Sequence, residues 1–139
     1  MKILAIDFGS SKTGIAISDP LGMMAGRSFV IPEKYFPHLV EKLVETINSE
    51  KPDEVVLGFP KNMNNTEGER AVLTKELKGV LEERISAPII LWDERNTTVS
   101  AHKILSTNGK KHKHHKKTVD AVAASLILEG YMMFKSFNR

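Results

Sequence analysis

Residues 3–19 read ILAIDFGSSKTGIAISD. Two short apolar runs flank the linker GSSK, whose length suits a β-hairpin. The first run carries a carboxylate, Asp7, and the second ends at another, Asp19. Side chains alternate along a strand, so Asp7 shares a face with Ile3 and Ala5. An unpaired carboxylate on a covered face is expensive, so Asp7 must meet a metal, a cation or hydrogen-bond donors. The plainer alternative is an Asx turn, in which Asp7 bonds the glycine loop that follows it.

Working outward, MAGRSFVI (24–31) reads as a third strand ended by Pro32, which makes an antiparallel meander. The pattern then changes period. Leu39, Val40, Leu43, Val44 and Ile47 recur at helical spacing, predicting an amphipathic helix from about residue 35 to 50. DEVVLGF (53–59) reads as a short strand. Thr66 and Glu69 form a capping box, and Val72, Leu73, Leu77, Val80, Leu81 and Ile85 continue as a helical stripe that Pro88 stops. IILW (89–92) is the next strand, followed by one helix near Thr97 to Ser106 and another from Thr118 to about Phe134. The order βββαβαβαα predicts an α/β fold. Its five-stranded mixed sheet has three antiparallel strands first, then parallel strands joined through helices. No internal repeat or linker interrupts the chain, so residues 1–139 are expected to form one domain.

Composition narrows the class. A chain of 139 residues can bury most of its unfolded surface without staples. It contains no cysteine, which removes disulfides, thiolate zinc sites and cysteine nucleophiles, and permits a reducing compartment. MKILAIDF is too short and too interrupted for a signal-peptide core, and no stretch is apolar enough to span a bilayer. A cytoplasmic protein without a membrane partner is expected. The net charge of +3 permits a polyanionic partner. The run KKHKHHKK (110–117) is the one low-complexity segment. It reads either as a solvated loop or as a phosphate-attracting surface, whereas a histidine metal site is disfavoured because the adjacent lysines repel a cation.

Two further acids stand at element ends. WDERNTT (92–98) directly follows the strand IILW, and ligands in open α/β sheets collect beyond the carboxyl ends of parallel strands. Asp93 and Glu94 point in opposite directions if the strand continues, so only one can face a site there. Asp120, in TVDAVAASLILEGYM (118–132), shares a helix face with Ala123, Ala124, Ile127 and Tyr131. That face is small and apolar, suited to lying close against a sheet. Complementing the helix dipole is the alternative role for this acid. Magnesium and manganese prefer hard oxygen ligands, and a pair of such ions can activate water and stabilise the leaving oxygen in phosphodiester cleavage.

The segments IDFGSSKTGIAISD, VVLGFPKNMNNTEGERA, WDERNTT and KKTVDAVAASLILEGYM occur in an order and spacing that resembles the YqgF/RuvX-like family, nucleases of the ribonuclease H-like superfamily. The resemblance spans nearly the whole chain. It implies a ribonuclease H-like fold and the catalytic, metal-binding acids Asp7, Glu94 and Asp120, with Mg2+ or Mn2+ as cofactor. It also implies a structured nucleic-acid substrate: the small-subunit ribosomal RNA precursor, or branched DNA if the protein resolves Holliday junctions. Asn64-Asn65 stands where the family often has Asp-Gly, and Lys12 and Asn96 replace frequent alternatives. None of these departures removes a carboxylate of the set.

Around the acids, Lys61, Asn62 and Arg70 belong to the segment entering a helix, where backbone amides favour phosphate. Arg95 could clamp a phosphate bidentately or pair with a carboxylate. Lys12, Lys116 and Lys117 complete the expected nucleic-acid contacts. Asp19 in SDPLG reads as an ordinary turn, Trp92 as core, and Met23-Met24 as packing. The oligomeric state, monomer or homodimer, is left open. Two other functions compete. DFGSSKTGIAISD also looks like the first phosphate loop of actin- and Hsp70-type ATPases, although those need two lobes. A noncatalytic nucleic-acid-binding module is the other, against which the retained acids argue.

Overall fold

The computed structural model describes residues 1–22, 24–59, 68–93 and 119–137, with only the backbone at 119–121. In chain order the elements are β1 (Ile3–Asp7), β2 (Lys12–Ser18), β3 (Ala25–Pro32), α1 (Phe36–Glu50), β4 (Glu54–Phe59), α2 (Glu69–Glu82), β5 (Ile89–Asp93) and α3 (Val119–Phe137). The strands form one sheet in the order β3-β2-β1-β4-β5. β1 pairs antiparallel with β2, and β2 with β3, whereas β4 runs parallel to both β1 and β5. This is the expected mixed sheet. The helix expected near Thr97 to Ser106 lies outside the described residues.

Alternation gives the sheet two different faces. Leu4, Ile6, Ile15, Ile17, Val55 and Leu57 bury one face against Leu39, Leu43 and Ile47 of α1 and Leu77 and Leu81 of α2. Each such side chain contributes about 1.5–3 kcal/mol when fully buried. The other face carries Ile3, Ala5, Ala16 and Val56, covered by Ala124, Ile127, Leu128 and Tyr131 of α3. Of the predicted inward face of α3, Ala124, Ile127 and Tyr131 are buried together with Leu128, Ala123 is half-buried, and the side chain of Asp120 lies outside the described residues.

The helix boundaries follow local chemistry. α1 has Pro37 in its first turn, where the missing amide hydrogen costs nothing. It ends at Lys51, whose left-handed backbone lets its amide donate to the Ile47 carbonyl at 2.8 Å. α2 corrects the expectation. It starts at Glu69 with Gly68 as N-cap and no side-chain cap, so Glu69 stands in the first turn, and Thr66 of the expected box lies outside the described residues. Its buried stripe is Ala71, Thr74, Leu77 and Leu81, while Val72 and Leu73 face outward, 58% and 36% exposed. Thr74 can be buried because its hydroxyl donates to the Arg70 carbonyl at 2.7 Å. α2 ends at Glu82, so Ile85 packs on the core from a loop. Met24 also differs from its reading as packing, being 69% exposed.

The direction of α3 matters most for function. Near its C-terminus, the Tyr131 hydroxyl donates to Glu54 Oε1 at 3.0 Å, and Lys135 Nζ does so at 3.1 Å. Glu54 begins β4 and is level with Ile3, the first residue of β1. α3 therefore runs against β1, and its first turn lies towards the strand end that holds Asp7.

Candidate active site

Asp7 is the last residue of β1 and is half-buried. It belongs to the face of Ile3 and Ala5, which α3 covers. Its partner on β2 is Gly14. On the other side, β1 and β4 match Ile6 to Leu57, and the next step of that register brings Asp7 level with Gly58. Gly58 in turn pairs with Trp92 on β5. The carboxylate thus rises from a floor whose two neighbouring positions carry no side chain. A glycine within a strand often marks such a close approach, and Gly58 in VVLGF carried that signal.

The first turn of α3 holds Asp120. From Tyr131 back to Asp120 the helix covers about 16 Å, and from Ile3 to Asp7 the strand covers about 13 Å. With Tyr131 anchored level with Ile3, these spans bring the backbone of Asp120 to the same end of the sheet as Asp7.

β5 fixes the side of the sheet on which Asp93 lies. Ile90 and Trp92 pack with the α3 layer, and Trp92 meets Tyr131 and Phe134 edge-on, with centroids 5.7 and 5.5 Å apart. Trp92 is therefore part of the packing, as expected. Asp93 falls on the opposite face, level with Phe59, whose ring lies 5.5 Å from Lys75 Nζ.

The hairpin after Asp7 is tightly built. A Cβ on Gly9 would stand 1.9 Å from the Lys12 carbonyl oxygen, so no other residue fits there. The Gly9 amide, which an Asx turn from Asp7 would use, donates to Thr13 Oγ1 at 3.4 Å. Lys12 opens β2 on the exposed side of this hairpin. Arg70, in the first turn of α2, donates to the Phe8 carbonyl and lies over the Phe8 ring at 5.4 Å. It clasps α2 to the end of β1, a role the sequence did not signal. Asp19 is a turn residue, its carbonyl accepting from Gly22 and its carboxylate from the Met24 amide. Glu94, Lys61, Asn62, Arg95, Lys116 and Lys117 lie outside the described residues, and so does the side chain of Asp120.

Among the described residues, no three acidic, histidine or cysteine side chains cluster tightly enough to hold a metal. Among the described side chains Asp7 supplies a hard oxygen donor at this end, and the glycine-flanked floor and the converging start of α3 suit a divalent cation.

A five-stranded mixed sheet led by an antiparallel meander, with helices on both faces, is a fold of the ribonuclease H-like class. Residues 1–133 match the model of the RuvX family, described as a Holliday junction resolvase. The chain belongs to that family and is a phosphodiester-cleaving enzyme. A protein of Agathobacter rectalis named "Putative pre-16S rRNA nuclease" is 42% identical over 142 aligned positions, covering 100% of this chain and 99% of its own. In fold the chain is similar to Thermus thermophilus RuvC in complex with a Holliday junction substrate, with TM-score 0.61, 13% identity and 96% of each chain covered. A Thermus thermophilus ROK hexokinase shares the fold at TM-score 0.50 and 21% identity, over 70% of this chain but only 36% of its own.

Proposed function

We propose that the protein is a divalent-metal-dependent endonuclease that trims the small-subunit ribosomal RNA precursor in the cytoplasm, with Asp7, Glu94 and Asp120 as its catalytic acids. The observation that carries this reading is the convergence of Asp7 and the first turn of α3 at one end of one sheet face. Parity supports Glu94 as the third acid, because Asp93 faces the α1 and α2 side. When bound, Mg2+ or Mn2+ would supply an activated water and stabilise the leaving oxygen. The three carboxylates would hold it, Asp7 from a rigid strand and Asp120 from the start of α3. Lys12, Lys61, Asn62, Arg70, Arg95, Lys116 and Lys117 would contact backbone phosphates, positioning the strand without reading bases. The whole chain serves as the single catalytic domain. The ribosomal substrate is favoured by the name of the 42% identical relative.

The test is cleavage of precursor 16S rRNA and a four-way DNA junction side by side, with Mg2+ or Mn2+. The native protein, Asp7→Asn, Glu94→Gln and Asp120→Asn are compared. Cutting of the precursor by the native protein alone is expected. Junction cutting without precursor cutting would move the substrate to branched DNA. Near-native turnover in two of the three variants would remove the acid assignment.

A further inference from the structure

A cavity of about 370 Å³ opens beside the end of β1, on the α1 and α2 side of the sheet. Its apolar walls are Phe8, Phe36, Leu39 and Leu73, and its polar lining is Ser10, Glu33, Lys34 and Glu76. Phe8 and Phe36 meet edge to face, with centroids 6.2 Å apart. Arg70 lies over the Phe8 ring and holds it in place. Phe8 directly follows Asp7, and adjacent α-carbons are about 3.8 Å apart. A nucleic-acid strand crossing the end of β1 would thus pass from the acid to the cavity mouth within one or two nucleotides.

The volume is at the small end of ligand pockets and suits one ring system. Splayed-out bases of single-stranded RNA stack on aromatic side chains and bond through their Watson–Crick edges. A carboxylate accepts hydrogen bonds only, so Glu33 and Glu76 select a ring edge with adjacent N–H donors, while Lys34 can donate to a carbonyl beside them, the order that guanine presents. Glu33 is held ionised below the ordinary carboxylate range, chiefly by Lys42 at 2.9 Å and also by the Tyr35 amide at 3.2 Å. Guanine presents adjacent ring N–H and amino donors, whereas uracil presents one N–H between two carbonyls.

We infer that this cavity receives one unpaired nucleobase of the substrate, guanine in preference to uracil, next to the scissile phosphate. The inference rests on Asp7 marking the cleavage centre.

The test uses short fluorescein-labelled single-stranded RNAs, each with one base replaced by an abasic residue, and reads binding by fluorescence anisotropy. One position should weaken binding about tenfold when its base is removed, the usual scale of a stacked base. In Leu73→Trp, whose larger ring fills the cavity, removing that base should cost nothing further. At that same position guanine should bind better than uracil, and Glu76→Gln together with Glu33→Gln should erase the difference. No sensitive position in the native protein overturns the inference, whatever the variants do. So does a position equally sensitive in Leu73→Trp with a native-like melting curve. An unchanged guanine preference in the double glutamine variant overturns the base assignment. Binding needs no cleavage, so the scan is repeated in Asp7→Asn. A sensitive position there, with cleavage intact, would leave the base site standing and remove Asp7 from the chemistry. Cleavage lost in Asp7→Asn with no sensitive position would do the reverse.

Discussion

The two faces of the sheet are built from different residues and do different work. Towards α1 and α2 the strands present Leu4, Ile6, Ile15, Ile17, Val55 and Leu57, large side chains that meet two helices. Towards α3 they present Ala5, Gly14, Ala16, Val56 and Gly58 along the middle strands. The thick face supplies most of the apolar burial, and with it the stability. The thin face lets one helix lie close, and where the small residues become glycines it leaves room around Asp7. Stability and the candidate site are therefore separated by the thickness of a sheet. A protein organised this way can keep a carboxylate among glycines, because the opposite face compensates for the burial that is missing there.

The sharpest break of this comparison pairs one substitution from each face. Asp7→Asn is expected to lower single-turnover cleavage about 1,000-fold, equivalent to about 4 kcal/mol of transition-state stabilisation. Its melting temperature should change by no more than a few degrees, because relief of carboxylate repulsion offsets the lost contacts. Leu57→Ala should do the opposite. Leu57 is fully buried on the thick face, so truncation should cost about 2–5 kcal/mol in urea unfolding while the remaining folded fraction cleaves normally. Equal losses of stability and activity in both variants would show that the faces are not separable.

Ala16→Leu sharpens the role of the thin face. Ala16 is fully buried under α3, and a larger side chain there must push the helix away, at about 1–3 kcal/mol. Because α3 carries Asp120, cleavage should fall by more than the stability loss accounts for. A variant with normal turnover would mean that the spacing between α3 and the sheet is not what sets the site.

Tyr131→Phe is the smallest effect, about 1 kcal/mol for one hydrogen bond to Glu54. Burial, with the neighbouring Glu54, pushes the Tyr131 hydroxyl up to about 12 from an ordinary 10.0. The folded state therefore keeps a proton that the unfolded chain releases first. This contribution is fully present below pH 10 and is lost as pH rises towards 12. Urea midpoints measured across that window should fall less steeply in Tyr131→Phe. Identical slopes would mean that this bond does not anchor the C-terminal end of α3.

Legibility followed period and position. The meander, α1, β4, β5 and α3 were readable because alternation and helical spacing are local properties of the chain. α2 shows the limit. TEGERAVL is compatible with a cap at Thr66 or at Gly68, and its apolar residues fit more than one inward stripe. The choice of Ala71 and Thr74 over Val72 and Leu73 comes from packing against the sheet. Arg70 is a similar case: its basic character was legible, but its clasp on Phe8 was not, because that contact joins residues 62 positions apart.

For the candidate site, the sequence by itself determined that Asp7 sits in a strand on the face of Ile3 and Ala5, and that Asp120 opens a small-faced helix. Both follow from residues a few positions apart. Only the tertiary structure decided that Asp7 and the backbone of Asp120 lie towards one end of the sheet. The direction of α3 depends on Tyr131 and Lys135 reaching Glu54, contacts between residues 77 and 81 positions apart. Only it matched Gly58 to Trp92 and brought Gly58 level with Asp7, because strand register is a property of paired strands and no single strand contains it.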